Sequence, residues 1–153
     1  MDSSENQEMK KVIPLIFLIL FSLIIKAINN GVRLSDTNIY FNIAYQIFQG
    51  KLLYKDIFFS NFPFFSYVSS FYYIITGKNI ELFYFTSSIE IAIITTFIYL
   101  IVYKKTENYI ASIISSLLYI FSFMVLSTSD HQTGIFTASL FAVVGFYFLK
   151  EKV

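Results

Sequence analysis

The 153-residue sequence contains no cysteine, a single histidine (His131), two prolines and five glycines. The absence of cysteine excludes disulfides, zinc–thiolate sites and cysteine nucleophiles from this chain. A single histidine likewise excludes any site here that needs two histidine ligands. The few glycines form neither G-x-x-x-x-G-K-[ST] nor G-x-G-x-x-G, which argues against a glycine-rich phosphate loop.

Charge is also scarce, at 14% of residues, whereas soluble domains average about 25%. Hydrophobic residues make up 56% of the chain and aromatic residues 20%, and the mean hydropathy is +0.65. Ten acids and eleven bases are too few to cover the surface of a soluble domain of this size. A net charge of +1 gives no support for nucleic-acid binding. The composition therefore predicts an all-α, multi-pass protein of the cell membrane, with the lipid bilayer as its surroundings.

The apolar runs divide this predicted membrane protein into segments. Residues 1–11 are polar and predict a cytoplasmic tail, and residues 12–153 form the membrane domain. Four runs are long enough to predict spans, at residues 12–28, 82–103, 109–126 and 135–149.

A fifth apolar run, residues 62–76, gives about 23 Å of helix, short of the roughly 30 Å hydrocarbon core. It either spans with distortion or forms a re-entrant or interfacial helix. If it does not span, both basic clusters, Lys104–Lys105 and Lys150–Lys152, fall on the cytoplasmic side, as the positive-inside rule favours.

Residues 29–60 form the most polar stretch and are expected to lie on the outer face. Within it, Ser35 or Asp36 can cap a helix that runs to Gln49, and Gly50 supplies its stop. Apolar side chains recur there at helical spacing, with amides on the other face, which predicts an amphipathic helix in the membrane interface. The apolar positions are Ile39, Tyr40, Ile43, Ala44, Ile47 and Phe48, and the amides are Asn38, Asn42, Gln46 and Gln49.

Two acids stand out as candidates for chemistry. Asp36, just past the first span, could act as a general base toward a hydroxyl, could bind a divalent cation, or could simply cap the helix. Glu90 lies near the middle of a predicted span, where a charge costs at least about 2.5 kcal/mol. It must face protein or water, or be protonated, and either it has a function or Ser87, Ser88 and Thr95 satisfy it.

Several motifs follow one another in a definite order along the chain. The first run is followed by the acid Asp36 at the start of an amphipathic helix, and then by a G-x-x-x-Y-x-D turn that reads Gly50–Asp56. Pro63 opens the next helix, which Thr76-Gly77 closes, and further on Asp130 precedes the last apolar run. This order resembles the beginning of GT-C glycosyltransferases that use polyprenyl-phosphate sugars, such as protein O-mannosyltransferases and aminoarabinose transferases. The resemblance covers roughly residues 12–150.

The resemblance implies sugar transfer from a polyprenyl-phosphate donor to an acceptor hydroxyl on the outer membrane face. Asp36 would be the general base on that hydroxyl, and whether it also binds a divalent cation stays open. The implied substrate-binding residues are Arg33, Tyr40, Tyr54, Lys55, Asp56 and Asp130. Arginine and lysine suit the donor phosphate because they supply charge-assisted hydrogen-bond donors.

The chain also departs from this family. Thr37 stands where many members have a second acid, and Asn61-Phe62-Pro63 replaces a Lys-Pro-Pro or His-Pro-Pro string. Complete members carry more spans and a C-terminal region, so we expect either a truncated or split gene product or a partial module that works with a second polypeptide. Two alternatives stay open: a non-catalytic membrane protein (a gene remnant, scaffold or accessory subunit), and a small transporter or channel component organised around Glu90.

Overall fold

The chain is helical in its computed structural model, which describes residues 3–29, 36–60, 63–127 and 134–149. Within these ranges the one β pairing is an isolated bridge between Leu53 and Ile57, so the predicted all-α class is confirmed. The helices are α1 (Ser3–Asn29), α2 (Asp36–Phe48), α3 (Pro63–Ile75), α4 (Ile80–Thr106), α5 (Tyr109–Ile120), α6 (Phe123–Ser127) and α7 (Gly134–Leu149).

Helix ends follow the local chemistry of the sequence. The side-chain oxygen of Asn79 accepts hydrogen bonds from the backbone N–H groups of Glu81 and Leu82 at the start of α4, at 2.8 and 3.1 Å. Asn108 caps α5 in the same way. Gly50 and Gly77 follow α2 and α3 with φ of +85° and +62°, a conformation that glycine adopts without steric cost. The predicted stops at these two glycines are therefore confirmed.

Helix α4 is the centre of the bundle and packs against α1, α5 and α7. A two-residue connection makes α5 antiparallel to α4. In contrast, α7 runs parallel to α4, because Thr137 contacts Glu90 near the start of α7 and Tyr147 meets the Phe97 ring near its end. The end of α7 therefore lies at the same end of the bundle as Lys104, whose ammonium is 5.5 Å from the Tyr147 ring.

Helix α1 runs antiparallel to α4. Leu18, in the middle of α1, packs with Tyr99 of α4 and Ile120 of α5, whereas Leu23, later in α1, lines the same cavity as Ile89, earlier in α4. The N-terminal half of α1 thus points toward the Lys104 end of the bundle. This antiparallel pairing lets the apolar side chains of both helices cover each other over several turns.

Helix α3 lies across the bundle rather than along it. Phe65, in its first turn, contacts Gly134 at the start of α7, and Tyr73, near its end, packs with Phe83 in the first turn of α4. Both ends of α3 therefore lie at the same end of the α4–α7 pair.

Helix α2 is covered on two sides. Its Phe41 ring meets the rings of Tyr73 and Phe83 at 5.1 and 5.2 Å, which places α2 against α3 and α4. Ile43 packs instead against Leu53 and Ile57, from the chain that returns along the helix. The predicted apolar face is only partly right: Ile43 and Ala44 are buried, but Ile39 is exposed and Thr37 is fully buried. The difference arises because the contact face is set by residues 37, 41 and 44.

One helix of the described residues, α4, is both long and apolar enough to cross a membrane. The other apolar helical segments are shorter, at Val12–Ile25, Tyr109–Ile120 and Gly134–Leu149. The predicted span 109–126 is divided after α5, where the backbone N–H of Phe121 donates to Leu117 and Tyr119 carbonyls and the Ser122 hydroxyl accepts from Val125 N–H to begin α6. Residues 3–11, predicted as a polar tail, continue α1 as helix.

Candidate functional site

The most deeply buried acid of the described chain is Glu90, in the first half of α4, with 2% of its surface exposed. Its Oε1 accepts a hydrogen bond of 2.7 Å from the Tyr72 hydroxyl of α3 and one of 2.5 Å from the Thr137 hydroxyl of α7. One carboxyl oxygen of α4 therefore joins the preceding helix α3 and the more distant helix α7. Two donors on a single oxygen stabilise a carboxylate or the carbonyl oxygen of a carboxylic acid.

The second oxygen of Glu90 differs from the first. Oε2 is buried and has no hydrogen-bond partner among the described residues. The hydroxyl of Tyr119 on α5 is also buried without a partner there, and it lies within electrostatic range of Glu90. No lysine, arginine or histidine of the described chain influences Glu90 as a counter-charge. The site thus combines a buried carboxyl with unused hydrogen-bonding capacity.

None of the three neighbours suggested by the sequence, Ser87, Ser88 and Thr95, has a described hydrogen bond to Glu90, and two of them donate to backbone carbonyls. The Thr95 hydroxyl donates to the Ile91 carbonyl at 2.8 Å, and the Ser87 hydroxyl donates to the Tyr84 carbonyl at 3.0 Å. Buried Ser88 Oγ has no partner in the described part of the chain. The partners of Glu90, Tyr72 and Thr137, lie 18 and 47 residues away. No spacing rule within one helix could have identified them.

An open apolar groove of about 350 Å³ lies between α3 and α7. The two residues that donate to Glu90, Tyr72 and Thr137, form part of its wall. The rest of the wall is apolar apart from one further tyrosine, and it consists of Phe64, Tyr67, Val68, Phe71, Leu140 and Phe141. The hydroxyl pair that binds Glu90 therefore separates this groove from the buried carboxyl.

Asp36, the predicted general base, is the first residue of α2, and it is exposed. Because α2 packs against α3 and meets Phe83 of α4, Asp36 belongs to the end of the bundle opposite Lys104. Among the described residues, no group of three histidine or acidic side chains is placed to hold a metal ion. The roles of Asp36 as a general base and as a cation ligand both stay predictions.

The predicted binding residues Tyr54, Lys55 and Asp56 form a tight turn after α2. Oδ2 of Asp56 accepts from the Leu52 N–H at 2.9 Å, and the Tyr54 N–H donates to the Ile57 carbonyl at 2.9 Å. Tyr54 adopts φ of +67° there. The structure thus gives Asp56 a turn-forming contact, whereas the side chains of Tyr54 and Lys55 are exposed.

The remaining predicted binding residues are Tyr40, Arg33 and Asp130. The Tyr40 ring is half-buried and packs edge-on against the rings of Phe65 at 4.6 Å and Phe59 at 5.7 Å. Arg33 and Asp130 lie outside the described residues. Asp36 is the first residue of α2, whereas Leu53 and Ile57 of the turn pack against Ile43 in the middle of that helix.

Comparison of the chain with protein-family models, curated proteins and solved structures finds no match.

Proposed function

We propose that this chain is a multi-pass integral membrane protein. The exposed apolar side chains of its helices support this most directly. On α7, Phe136 and Thr137 are buried, whereas Phe141, Phe146 and Phe148 are at least half exposed. Helices α1 and α5 show similar exposed rows, including Ile13, Phe17, Ile114 and Leu118. In water such surfaces would cause the protein to associate, whereas in a bilayer they contact lipid chains that are also apolar.

The direction of the helices supports one orientation in the bilayer. Lys104 and Lys105 end α4 and lie at the same end of the bundle as the end of α7. The Asp36 end of α2 and the turn at 52–57 lie at the other end. With α3 lying across the bundle, the positive-inside rule assigns the lysine end to the cytoplasm and Asp36 to the outer face.

Topology can be tested with single-cysteine variants, because the chain contains no cysteine that would react in the background. Lys55→Cys and Lys105→Cys replace exposed residues at opposite ends of the bundle. A membrane-impermeant maleimide should label the first variant in intact cells and the second only after permeabilisation. Equal labelling of both variants in intact cells would contradict the proposal, and the unlabelled parent chain is the control.

We further propose that the chain is a GT-C-type glycosyltransferase module, which transfers a sugar from a polyprenyl-phosphate donor to an acceptor hydroxyl. The single observation that supports it is the exposed Asp36 carboxylate at the start of α2, at the proposed outer face. A carboxylate there can accept the hydroxyl proton as the acceptor oxygen bonds to the sugar and the bond to the lipid phosphate breaks. A second polypeptide that supplies further spans is part of this proposal.

The experiment is sugar transfer in membranes from a panel of polyprenyl-phosphate sugars, for the parent chain, Asp36→Asn and Glu81→Gln. Glu81 is an exposed acid in the first turn of α4 and serves as the matched control. Transfer should fall by about 100-fold or more in Asp36→Asn, the usual contribution of a general base, and persist in Glu81→Gln. If the parent chain transfers none of the sugars of the panel although it inserts normally, a non-catalytic scaffold or accessory subunit becomes the better assignment.

A further inference from the structure

Beyond this function, we infer that the carboxyl group of Glu90 is the binding site for one small monovalent cation, either a proton or a sodium ion. The inference is independent of sugar transfer, because Asp36 and Glu90 lie on different helices and share no contact among the described residues. Its basis is that the buried carboxyl has no counter-charge among the described residues and that one of its two oxygens has no hydrogen-bond partner there.

The first step concerns the charge of Glu90. Burial to 2% exposure removes water from the carboxylate, and no basic side chain of the described residues compensates its charge. A buried charge without a counter-charge is costly, so the group either takes up a proton or binds a cation. Either event brings one positive charge to the carboxyl.

The second step concerns where that charge binds. Tyr72 and Thr137 both donate to Oε1, which leaves Oε2 as the oxygen without a partner in the described chain. A proton on Oε2 leaves both donors in place on the carbonyl oxygen. A sodium ion would instead use Oε2 together with nearby hydroxyl oxygens, since hard cations take oxygen ligands.

The third step concerns the groups that face Glu90 from each neighbouring helix. They are Tyr72 of α3, Tyr119 of α5 and Thr137 of α7, all of them hydroxyls. Helix α1 contributes the apolar side chains of Ile19 and Leu23 to a cavity that Ile89 and Ala92 of α4 also line. Neutral hydroxyl oxygens beside a single acid fit one monovalent charge better than a divalent ion, which usually needs more carboxylates.

Infrared spectroscopy of the purified full chain in detergent tests the inference directly, because a protonated carboxylic acid has a C=O band that is separate from the carboxylate bands. Spectra of the parent chain and of the Glu90→Gln variant would be recorded at neutral pH, in sodium chloride and in choline chloride. The difference between the two spectra isolates the bands of Glu90. Glu81→Gln, which removes an exposed acid from the same helix, is the matched control and should lose only carboxylate bands.

A protonated Glu90 band that is the same in both salts would identify the ligand as a proton. A band that appears in choline and disappears in sodium would identify it as sodium. Carboxylate bands for Glu90 in both salts, with no response to sodium, would overturn the inference.

A second variant covers the case in which Glu90→Gln does not fold. Tyr72→Phe keeps the carboxyl and removes one hydrogen bond to Oε1, so the C=O band of Glu90 should shift to higher frequency. A protonated band that does not move in Tyr72→Phe would not belong to Glu90, and the proton assignment would fail.

Discussion

At the scale of single residues, Glu90 shows the limit of local reasoning. Its position inside an apolar run was enough to predict that it must face protein or water, or be protonated, because a charge is costly there. Its partners were not predictable, since Tyr72 and Thr137 reach it from α3 and α7 only after the helices pack. The neighbours at helical spacing, Ser87 and Thr95, use their hydroxyls on backbone carbonyls of α4 instead.

The Tyr72 hydrogen bond should contribute measurably to stability. Tyr72→Phe removes a donor to a buried carboxyl, and we expect it to lower the free energy of unfolding by about 1 to 2 kcal/mol. Tyr67→Phe, on the same helix but exposed, is the matched control and should change stability by less than about 0.5 kcal/mol. Denaturant unfolding in a mild detergent measures both, and equal effects would show that the bond contributes nothing.

At the scale of elements, turn and cap residues were predictable because their chemistry is local. Pro63 begins α3, Gly77 follows it, and Gly50 follows α2, as their backbone preferences require. The division of the predicted span 109–126 was missed, because Phe121 and Ser122 lie inside an apolar run without glycine or proline. Hydrophobicity reports burial in a membrane or a core, but it does not report whether a helix is continuous.

The contact between α3 and α7 depends on a small residue. A Cβ atom added at Gly134 would lie 3.1 Å from Cγ of the buried Phe65 ring, whereas one at Gly145 would meet nothing within 4 Å. We expect Gly134→Ala to destabilise the fold by about 1 kcal/mol through overpacking, and Gly145→Ala to stabilise it by about 0.5 to 1 kcal/mol through helix propensity. Thermal unfolding of the two variants tests this, and stabilisation by both would mean that Phe65 moves aside freely.

At the scale of the whole molecule, the bundle has apolar side chains both between its helices and on its outside. Leu18, Ile91 and Phe136 are fully buried, yet Ile114 and Phe141 are more than half exposed. A water-soluble bundle would place polar residues at the exposed positions. The whole-molecule surface is therefore the feature on which the membrane proposal rests.

A single charge on that surface distinguishes lipid from water. Ile114→Lys, in the middle of α5, should lower membrane insertion by about 2.5 to 3.5 kcal/mol if the position faces lipid. In water the same exposed substitution would change stability by about 0.5 kcal/mol or less. A membrane-insertion assay measures the effect, with Ser60→Lys in the exposed segment after α2 as the control. Normal insertion of Ile114→Lys would argue against a lipid-facing α5.

The sequence by itself determined the helical class, the approximate positions of the helices and the turns between them. These depend on apolar periodicity, glycine and proline, which act over a few residues. Only the tertiary structure decided that α3 lies across the bundle, that α7 runs parallel to α4, and that Tyr72 and Thr137 share one oxygen of Glu90. Contacts between distant residues depend on how whole helix surfaces fit together, and no local pattern in the chain records that fit.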